Sequence, residues 1–167
     1  AVVRDLERTS SLLDSYLAFA RLGKPALRPF SLEGLVKSAA ARWPLLRWRV
    51  APECTVVGDE TLLARVLDNL IDNATSAGAR AVDLRGERCD GTVRVRIADD
   101  GPGIPAEVLP HLFEPGFSTR GSTGLGLSII AETVAAHGGS IRCEPCASGT
   151  SFVIELPLHA DVVQSGA

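Results

Sequence analysis

The chain has 167 residues, of which 46 % are hydrophobic and 22 % are charged, and its net charge is −3 at pH 7. This composition is typical of a globular domain, and without a basic run it excludes an electrostatic surface for nucleic acid or for an anionic membrane. No apolar stretch reaches the roughly 18 residues that a membrane span needs. The chain contains no methionine, so we expect it to be a fragment of a longer protein.

Four cysteines are present, and Cys143 and Cys146 are spaced as a CxxC motif. Such a pair can mark redox chemistry or half of a metal site. Because there is no second CxxC and no histidine at ligand spacing, we interpret the pair as small residues that flank a turn between strands. The cysteines indicate a reduced, intracellular compartment.

The first 23 residues predict an amphipathic helix. Apolar or small residues recur at steps of three and four along residues 2–22, which is a heptad pattern. Gly23, Pro25 and Pro29 then predict the end of the helix and a linker over residues 24–29. We expect this helix to belong to a bundle that other residues of the complete protein, or another subunit, complete.

Residues 30–158 show a mixed pattern of helices and strands, followed by a tail over 159–167. The predicted elements are a helix over 32–42 capped by Ser31, strands 46–50 and 54–57 joined by a turn at Pro52, a helix from Asp59 to Ser76, strands 80–87 and 92–99, a long loop over 101–123, a helix over 124–137, and strands 140–144 and 150–158. Because strand pairs are adjacent in sequence, we predict a two-layer α/β sandwich. Its mixed, largely antiparallel sheet packs on about three helices.

The stretch "DNLIDNAT" places two asparagines in the middle of the helix that ends near Ser76, although asparagine is a weak helix former. Asn69 and Asn73 are four residues apart and fall about 40° from each other at one border of the apolar face. They are therefore predicted to be half-buried neighbours beside a cleft. An amide oxygen is a hard ligand that suits Mg²⁺, whereas the alternative interpretation is a solvated polar edge.

Two further segments carry ligand-binding features. Asp99 is predicted at the end of a strand, where its carboxylate can accept from a ligand amine. Gly101 and Gly103 let backbone approach a flat ligand, and Ile104 offers an apolar surface; the alternative is a plain Asp-Gly turn. In "GSTGLGLSII" (121–130) glycines lead into a helix, whose first N–H groups form an anion site. Neither a P-loop nor a dinucleotide fingerprint is present.

The order of these segments resembles the ATP-binding catalytic domain of sensor histidine kinases, the Bergerat fold shared with gyrase, Hsp90 and MutL. "NLIDNA" looks like the N box of that family, "DDGPGI" its G1 box, "LFEPGFST" its F box and "GSTGLGLSI" its G2 box. The resemblance covers about residues 30–158. "LLDSYLAFARLG" in the first 23 residues resembles the end of the second helix of the dimerisation and phosphoacceptor bundle.

The resemblance implies roles for single residues, with ATP and Mg²⁺ as cofactors. Asn73 would coordinate Mg²⁺, Asn69 would lie beside the phosphates or the metal, and Arg120 would pair with the γ-phosphate. Phe113 and Phe117 would anchor a lid over the nucleotide. The other implied contacts are Asp99, Gly101, Gly103 and Ile104 with adenine, Gly124, Leu125, Gly126 and Leu127 with phosphate through backbone N–H groups, and Thr150 with the adenine site through a water.

Two departures from the family pattern concern the phosphates and the acceptor. Ser76 and Ala77 stand where the family often has a lysine and an aromatic residue, so one phosphate contact is expected either to be missing or to be supplied by Arg120. None of the three histidines, His111, His137 and His159, lies on the predicted bundle helix. We interpret His111 as an ordinary surface residue, so the phosphoacceptor histidine is expected outside this chain.

The resemblance implies a two-component signalling kinase that passes the γ-phosphoryl to a histidine and then to a response-regulator aspartate. The complete protein would be a cytoplasmic homodimer, with a membrane anchor, if any, in an N-terminal region outside this chain. The alternatives are a pseudokinase that acts by interaction alone and an anti-sigma serine kinase. A gyrase-type or Hsp90-type ATPase is disfavoured, because Asn69 stands where those proteins carry a glutamate base, and an amide cannot take a proton from water.

Overall fold

The computed structural model describes residues 24–118, 124–144 and 146–158. The helices are α1 (Leu32–Arg42), α2 (Glu60–Ser76) and α3 (Gly126–Ala136), and the strands are β1 (Arg28–Ser31), β2 (Leu46–Val50), β3 (Thr55–Gly58), β4 (Val82–Cys89), β5 (Thr92–Asp99), β6 (Ser140–Glu144) and β7 (Ser151–Pro157). A short 3₁₀ helix over Leu109–His111 lies in the segment that was predicted as a long loop. The helix predicted over 1–23, the tail over 159–167 and Arg120 lie outside the described residues.

The five-stranded sheet has the order β2-β4-β5-β7-β6. Strands β2 and β4 run parallel, and the other three pairs are antiparallel. A separate two-stranded sheet joins β1 and β3 in antiparallel orientation. The described chain thus has the predicted mixed, largely antiparallel sheet and three helices, which confirms the two-layer α/β sandwich.

One hydrophobic core joins the helices to one face of the large sheet. The alternation in β4 and β5 sends Val82, Leu84, Val93, Val95 and Ile97 to this face, and all five are buried. The residues that meet them from the helices are buried as well: Leu35, Val36 and Ala39 from α1, Val66, Leu70 and Ile71 from α2, and Ile130 and Val134 from α3. Burial of these apolar faces is the main stabilisation of the fold.

The predicted caps of the first two helices are confirmed. The Ser31 hydroxyl accepts from the Gly34 N–H at 3.4 Å at the start of α1. The Asp59 carboxylate accepts from the Leu62 N–H at 3.2 Å at the start of α2. Each bond satisfies one of the donors that the first turn of a helix leaves without an intrahelical acceptor.

The predicted pairing of the strands at 46–50 and 54–57 is wrong. Strand β2 instead joins the edge of the large sheet, where Leu46 is the Cα partner of Val82. Strand β3 pairs with β1, which was not predicted and begins at Arg28, within the segment 24–29 expected to be a linker. The turn at Pro52 therefore moves the chain from one sheet to the other.

The face of the large sheet away from the helices carries a row of arginines. Arg49, Arg85 and Arg96 are successive Cα partners across β2, β4 and β5, and all three are exposed. Nearby, the Arg94 Nε donates to Glu155 at 3.0 Å. Like charges placed directly opposite each other destabilise a sheet, so this row costs stability that the apolar face offsets.

Candidate functional site

A cavity of about 190 Å³ lies where α2, the end of β5 and the start of α3 meet. The residues that line it come from these elements, from the segment after β5 and from β7: Asn73, Ala74, Ala77, Asp99, Pro102, Gly103, Ile104, Pro105, Val108, Leu112, Phe117, Ser118, Gly124, Gly126, Leu127, Thr150 and Phe152. Segments far apart in sequence that the motifs singled out are thus brought together around one space.

The Asp99 carboxylate is half-buried at the end of β5 and lines the cavity. Its Oδ1 accepts from the N–H groups of Gly101 at 2.8 Å and Thr150 at 3.3 Å. The Asp99 N–H in turn donates to the Thr150 carbonyl at 2.9 Å. Because both donors use Oδ1, they fix the orientation of the carboxylate while Oδ2 keeps its acceptor capacity for a ligand.

The neighbouring carboxylate, Asp100, is exposed and does not line the cavity. Its Oδ1 accepts from the N–H groups of Arg80 at 2.7 Å and Ala81 at 3.0 Å. Hydrogen bonds from Ala81 and Arg80 lower the pKa of Asp100. Asp100 therefore holds the chain before β4 against the end of β5. Of the two neighbouring carboxylates, Asp99 is the one placed to meet a ligand.

Three glycines allow close backbone contact beside Asp99. A Cβ at Gly103 would lie 2.9 Å from the Gly149 carbonyl oxygen, and a Cβ at Gly149 would overlap the Asp99 carbonyl oxygen. Both glycines have positive φ, +78° and +76°. Gly101 was predicted to contact the ligand, but it does not line the cavity. Its N–H instead orients the Asp99 carboxylate, and a Cβ at Gly101 would lie 2.9 Å from Asp99 Oδ1.

The two asparagines of α2 differ in their exposure. Asn73 is half-buried and lines the cavity, as predicted. Asn69 is exposed and does not line the cavity, so the prediction that it is half-buried is wrong. The apolar face of α2 ends next to Asn73, and a step of four residues turns Asn69 about a further 40° away from the core.

A ligand atom of the type that Mg²⁺ prefers is present on the α2 side of the cavity. The amide oxygen of Asn73 is a hard ligand beside the cavity, and Mg²⁺ keeps several waters and is commonly completed by phosphate oxygens. Within the described ranges no cluster of three or more His, Cys, Asp or Glu residues is placed to hold a metal ion by itself. The residues therefore fit a metal that arrives with a phosphate ligand.

The start of α3 forms the opposite end of the cavity. Its first intrahelical bond joins the Ile129 N–H to the Leu125 carbonyl at 2.9 Å, so the N–H groups of residues 126–128 precede the helical ladder. Gly126 and Leu127 line the cavity, and the first turn has no acidic residue. N–H groups without an acceptor inside the helix, together with the positive end of the helix dipole, make this an anion site. Leu125 is the N-cap and does not line the cavity.

Gly116 and Phe117 lie side by side with Gly124. The Gly116 N–H donates to the Gly124 carbonyl at 3.2 Å. Gly124 has a φ of +67°, and a Cβ there would lie 2.6 Å from the Phe117 carbonyl oxygen. Glycine at position 124 thus allows these two backbone segments to approach closely, and it also lines the cavity.

The two phenylalanines differ in position. Phe117 lines the cavity, and its ring centroid lies 5.9 Å from that of His111. Phe113 does not line the cavity; its ring packs edge-on against Phe152, with centroids 6.3 Å apart and an interplanar angle of 67°. Phe113 therefore reaches the site through Phe152, which does line the cavity.

Several apolar residues of the wall were not predicted as site residues: Ala77, Val108, Leu112 and Phe152. Val108 and Leu112 are four residues apart, which is a weak sign that both face the same side. Phe152 lies among the alternating apolar residues of β7 and has no sequence feature that separates it from the core.

The arrangement suits a flat ring that carries an amine and is joined to an anion. Asp99 offers an acceptor at one end, apolar side chains such as Ile104 and Leu112 line the middle, and the N–H groups of α3 face the other end. These are the chemical features of an adenine nucleotide.

Comparison with known proteins agrees with this geometry. Residues 58–160 match the family described as histidine kinase-, DNA gyrase B-, and HSP90-like ATPase. The chain belongs to this family. The resemblance inferred from the order of the four boxes is thereby confirmed.

The curated relatives include sensor proteins of bacteria. The C4-dicarboxylate transport sensor protein DctB of Rhizobium meliloti is 34 % identical over 90 % of the chain, and the probable sensor histidine kinase TcrY of Mycobacterium tuberculosis is 35 % identical over 94 %. The chain spans 26 % of DctB and 37 % of TcrY. It is therefore similar to one part of each relative.

Solved histidine kinase structures share the fold. Full-length ShkA in complex with AMPPNP superposes with a TM-score of 0.78 at 32 % identity, covering 88 % of this chain and 35 % of ShkA. The catalytic domain of ThkA superposes with a TM-score of 0.70 at 29 % identity, covering 78 % of this chain and 95 % of that domain.

In the described part of the chain, no helix combines the length and apolar character needed to cross a membrane.

Proposed function

We propose that the chain binds Mg·ATP in this cavity and is the catalytic domain of a sensor histidine kinase. The observation that carries the proposal is the placement of Asp99, whose carboxylate is oriented by two backbone N–H groups at one end of a cavity that ends on the start of α3. The family and the AMPPNP complex of the similar protein ShkA support it.

In this proposal the adenine ring lies against Ile104 and Gly103, and its amino group donates to Asp99. Thr150, whose backbone already donates to Asp99, contacts the base through a water. The phosphates meet the backbone N–H groups at the start of α3, from Gly124 to Leu127. Asn73 would hold Mg²⁺ together with the phosphates, and Asn69, one turn earlier and exposed, would lie beside the phosphates or the metal.

Mg²⁺, when bound, would supply neutralisation of the negative charge on the phosphates. The residues of the chain orient the γ-phosphate and exclude water, so catalysis is mainly positioning and charge neutralisation. Phe117 anchors the lid over the nucleotide directly, and Phe113 does so through its contact with Phe152. Arg120 pairs with the γ-phosphate.

The acceptor is a histidine outside residues 1–167, on a bundle helix of the complete protein or of its sister subunit, and residues 1–23 contribute to the same bundle. We further propose that the complete protein is a cytoplasmic homodimer and relays the phosphoryl to a response-regulator aspartate. Support comes from the similar protein ThkA, whose structure in complex with the response regulator TrrA superposes with a TM-score of 0.76 at 26 % identity, covering 93 % of this chain and 49 % of ThkA.

Calorimetric titration with a non-hydrolysable ATP analogue and Mg²⁺ tests the binding proposal. Wild type is expected to bind, whereas Asp99→Asn and Asn73→Ala are each expected to lose about tenfold or more in affinity. Asp100→Asn and Asp72→Ala are matched controls, because both residues are exposed neighbours that do not line the cavity. A folded wild type without affinity, or equal losses in the controls, would refute the site.

Phosphotransfer is tested separately by adding a phosphoacceptor bundle in trans with labelled ATP. A kinase is expected to label the histidine of the bundle, and Asn73→Ala to abolish the labelling. Nucleotide binding without labelling of any acceptor bundle would favour the pseudokinase alternative.

A further inference from the structure

A second cleft, of about 600 Å³, lies behind the segment that forms the adenine end of the first cavity. The two spaces share the wall Pro102–Pro105 and Thr150. Cys143, near the end of β6, and Cys146, in the connection to β7, both line this second cleft. The CxxC motif, which the proposed kinase chemistry does not use, therefore places two thiols on one wall beside the nucleotide site.

The two thiols differ in accessibility. Both are free in the structure, Cys146 is exposed, and Cys143 is half-buried between the core and the cleft. Burial raises the pKa of the Cys143 thiol and outweighs a backbone hydrogen bond at Ser151 that lowers it, and the negative charges nearby raise it further. Cys146 is thus the thiol that a reagent in solution meets first, and Cys143 is the second thiol in the same cleft.

The short separation of the two cysteines along the chain favours a bond between their sulfur atoms. Glu144 and Ser151 are Cα partners, so the β6–β7 ladder ends at the two residues on either side of the β6–β7 connection. Only two residues separate the cysteines, and this short loop limits the conformational entropy that a disulfide has to remove.

We propose that Cys143 and Cys146 form a modification site for low-molecular-weight disulfides, with oxidised glutathione as the probe. The Cys146 thiolate attacks one sulfur of the reagent, forming a mixed disulfide and releasing one thiolate. The Cys143 thiolate then attacks Cys146 Sγ, forming the Cys143–Cys146 bond and releasing the second thiolate. The protein is oxidised by two electrons, the reagent is reduced to two thiols, and the two cysteine protons pass to them through solvent.

Oxidation at this site acts on the nucleotide cavity through two short connections. Cys143 is the Cα partner of Phe152, which lines the cavity. Cys146 leads in four residues to Thr150, whose N–H holds the Asp99 carboxylate. Gly149 in between is packed so tightly on the Asp99 carbonyl that a Cβ would overlap it. A disulfide that moves residues 146–149 must therefore disturb Asp99, an effect that rests on the proposed nucleotide binding.

The test incubates the full chain with oxidised glutathione and maps the products by mass spectrometry. Trypsin yields one peptide over 143–167 that contains both cysteines, because no lysine or arginine follows Arg142. Wild type is expected to lose two hydrogen atoms in this peptide. Cys143→Ser is expected to retain one glutathione on Cys146, and Cys146→Ser to react slowly or not at all. Cys89→Ser, on another strand, is the control and should behave as wild type.

The same samples are then titrated with the ATP analogue. The reduced chain is measured first, so that an absence of nucleotide binding refutes the proposed function without affecting the mass result. The oxidised chain is expected to bind about tenfold more weakly, and the double variant with serine at both positions to be insensitive to glutathione. A peptide that stays reduced, or carries two glutathiones, overturns the dithiol site. A disulfide with unchanged affinity overturns its coupling to the cavity.

Discussion

The backbone N–H of Asp59 donates to the imidazole Nε2 of His137 at 2.9 Å, although the two residues are 78 positions apart. The other ring nitrogen, Nδ1, lies 2.7 Å from the Thr133 carbonyl, to which it donates. His137 is only 3 % exposed and follows the last residue of α3, whereas Asp59 caps the first turn of α2. One buried ring thus ties together the two helices that line the cavity.

Replacement of His137 by alanine is expected to destabilise the chain by about 2–4 kcal/mol, because it removes both hydrogen bonds and leaves a cavity beside Gly58 and Leu63. Urea denaturation followed by circular dichroism measures the loss. His111→Ala is the control, since His111 is exposed and its contacts with Glu114 and with the Phe117 ring lie at the surface, and it should change stability by less than about 1 kcal/mol. Equal effects of the two variants would show that the buried ring does not join the helices.

The cap of α2 predicts a dependence of stability on pH. Burial raises the pKa of Asp59, but hydrogen bonds from the N–H groups of Leu62, Ala26 and Thr61 outweigh it, so the pKa is lowered from 3.8. The stabilisation by this carboxylate is therefore complete well above pH 3.8 and is lost as the pH falls through the lower, folded-state pKa.

Denaturation of Asp59→Ala and Asp59→Asn at a series of pH values tests this dependence. At pH 7 the alanine variant is expected to lose about 1 kcal/mol. Its difference from wild type should shrink as the carboxyl of wild type is protonated. The asparagine variant keeps an acceptor that does not titrate, so its difference from the alanine variant should be constant. The His137 contact to the backbone N–H is common to all three proteins and cancels. A difference between alanine and wild type that does not change with pH would contradict the assignment.

Hypoxanthine carries an oxygen acceptor at the position where adenine carries an amino group. Asp99 is therefore expected to set a preference for adenine over hypoxanthine. Competition titrations with ATP and ITP analogues should show wild type preferring ATP by about 10- to 100-fold, because ITP leaves the carboxylate facing an acceptor. In Asp99→Asn the amide can donate to that oxygen, so the preference should fall. An unchanged preference would place the base elsewhere.

Gly149 and Gly34 are expected to respond in opposite ways to alanine. At Gly149 a Cβ overlaps the Asp99 carbonyl and φ is positive, so Gly149→Ala should destabilise by about 2 kcal/mol or more and weaken nucleotide binding. Gly34 lies in α1, and its Cβ would make an ordinary contact 3.9 Å from Ser31. Gly34→Ala should therefore stabilise by about 0.5–1 kcal/mol. Thermal melts of the two variants give the comparison, and a stable Gly149→Ala would show that the backbone there is free to shift.

Local rules explain which parts of the fold could be predicted. Ser31 and Asp59 each stand before a run with helical periodicity, and their short acceptor side chains are what the first turn of a helix requires. The strand that ends in Asp99 alternates cleanly because one side faces the core. Asn73 and Asp99 could be assigned to one site only through the resemblance, since nothing in the local pattern states that α2 and β5 meet.

The pairing of strands could not be predicted in the same way. Two short strands with a proline turn between them resemble a hairpin, but β2 gains more by covering the edge of β4, where Leu46 and Val50 reach the core. Strand β1, with only four residues around Pro29, has too short a pattern to be recognised. The exposure of Asn69 depends on a rotation of about 40°, which is smaller than the uncertainty in the width of an apolar helix face.

The arginines on the outer side of the large sheet have a consequence for how copies of the chain behave when crowded. The two edge strands of the large sheet, β2 and β6, have five residues each. On the face away from the helices they carry charged side chains such as Arg47, Arg49 and Arg142. An unpaired edge invites a strand from a neighbouring molecule, and short edges with large charged residues oppose this. The charged side chains of the edge strands therefore oppose aggregation, whereas the row of arginines that continues from Arg49 to Arg85 and Arg96 lowers intrinsic stability.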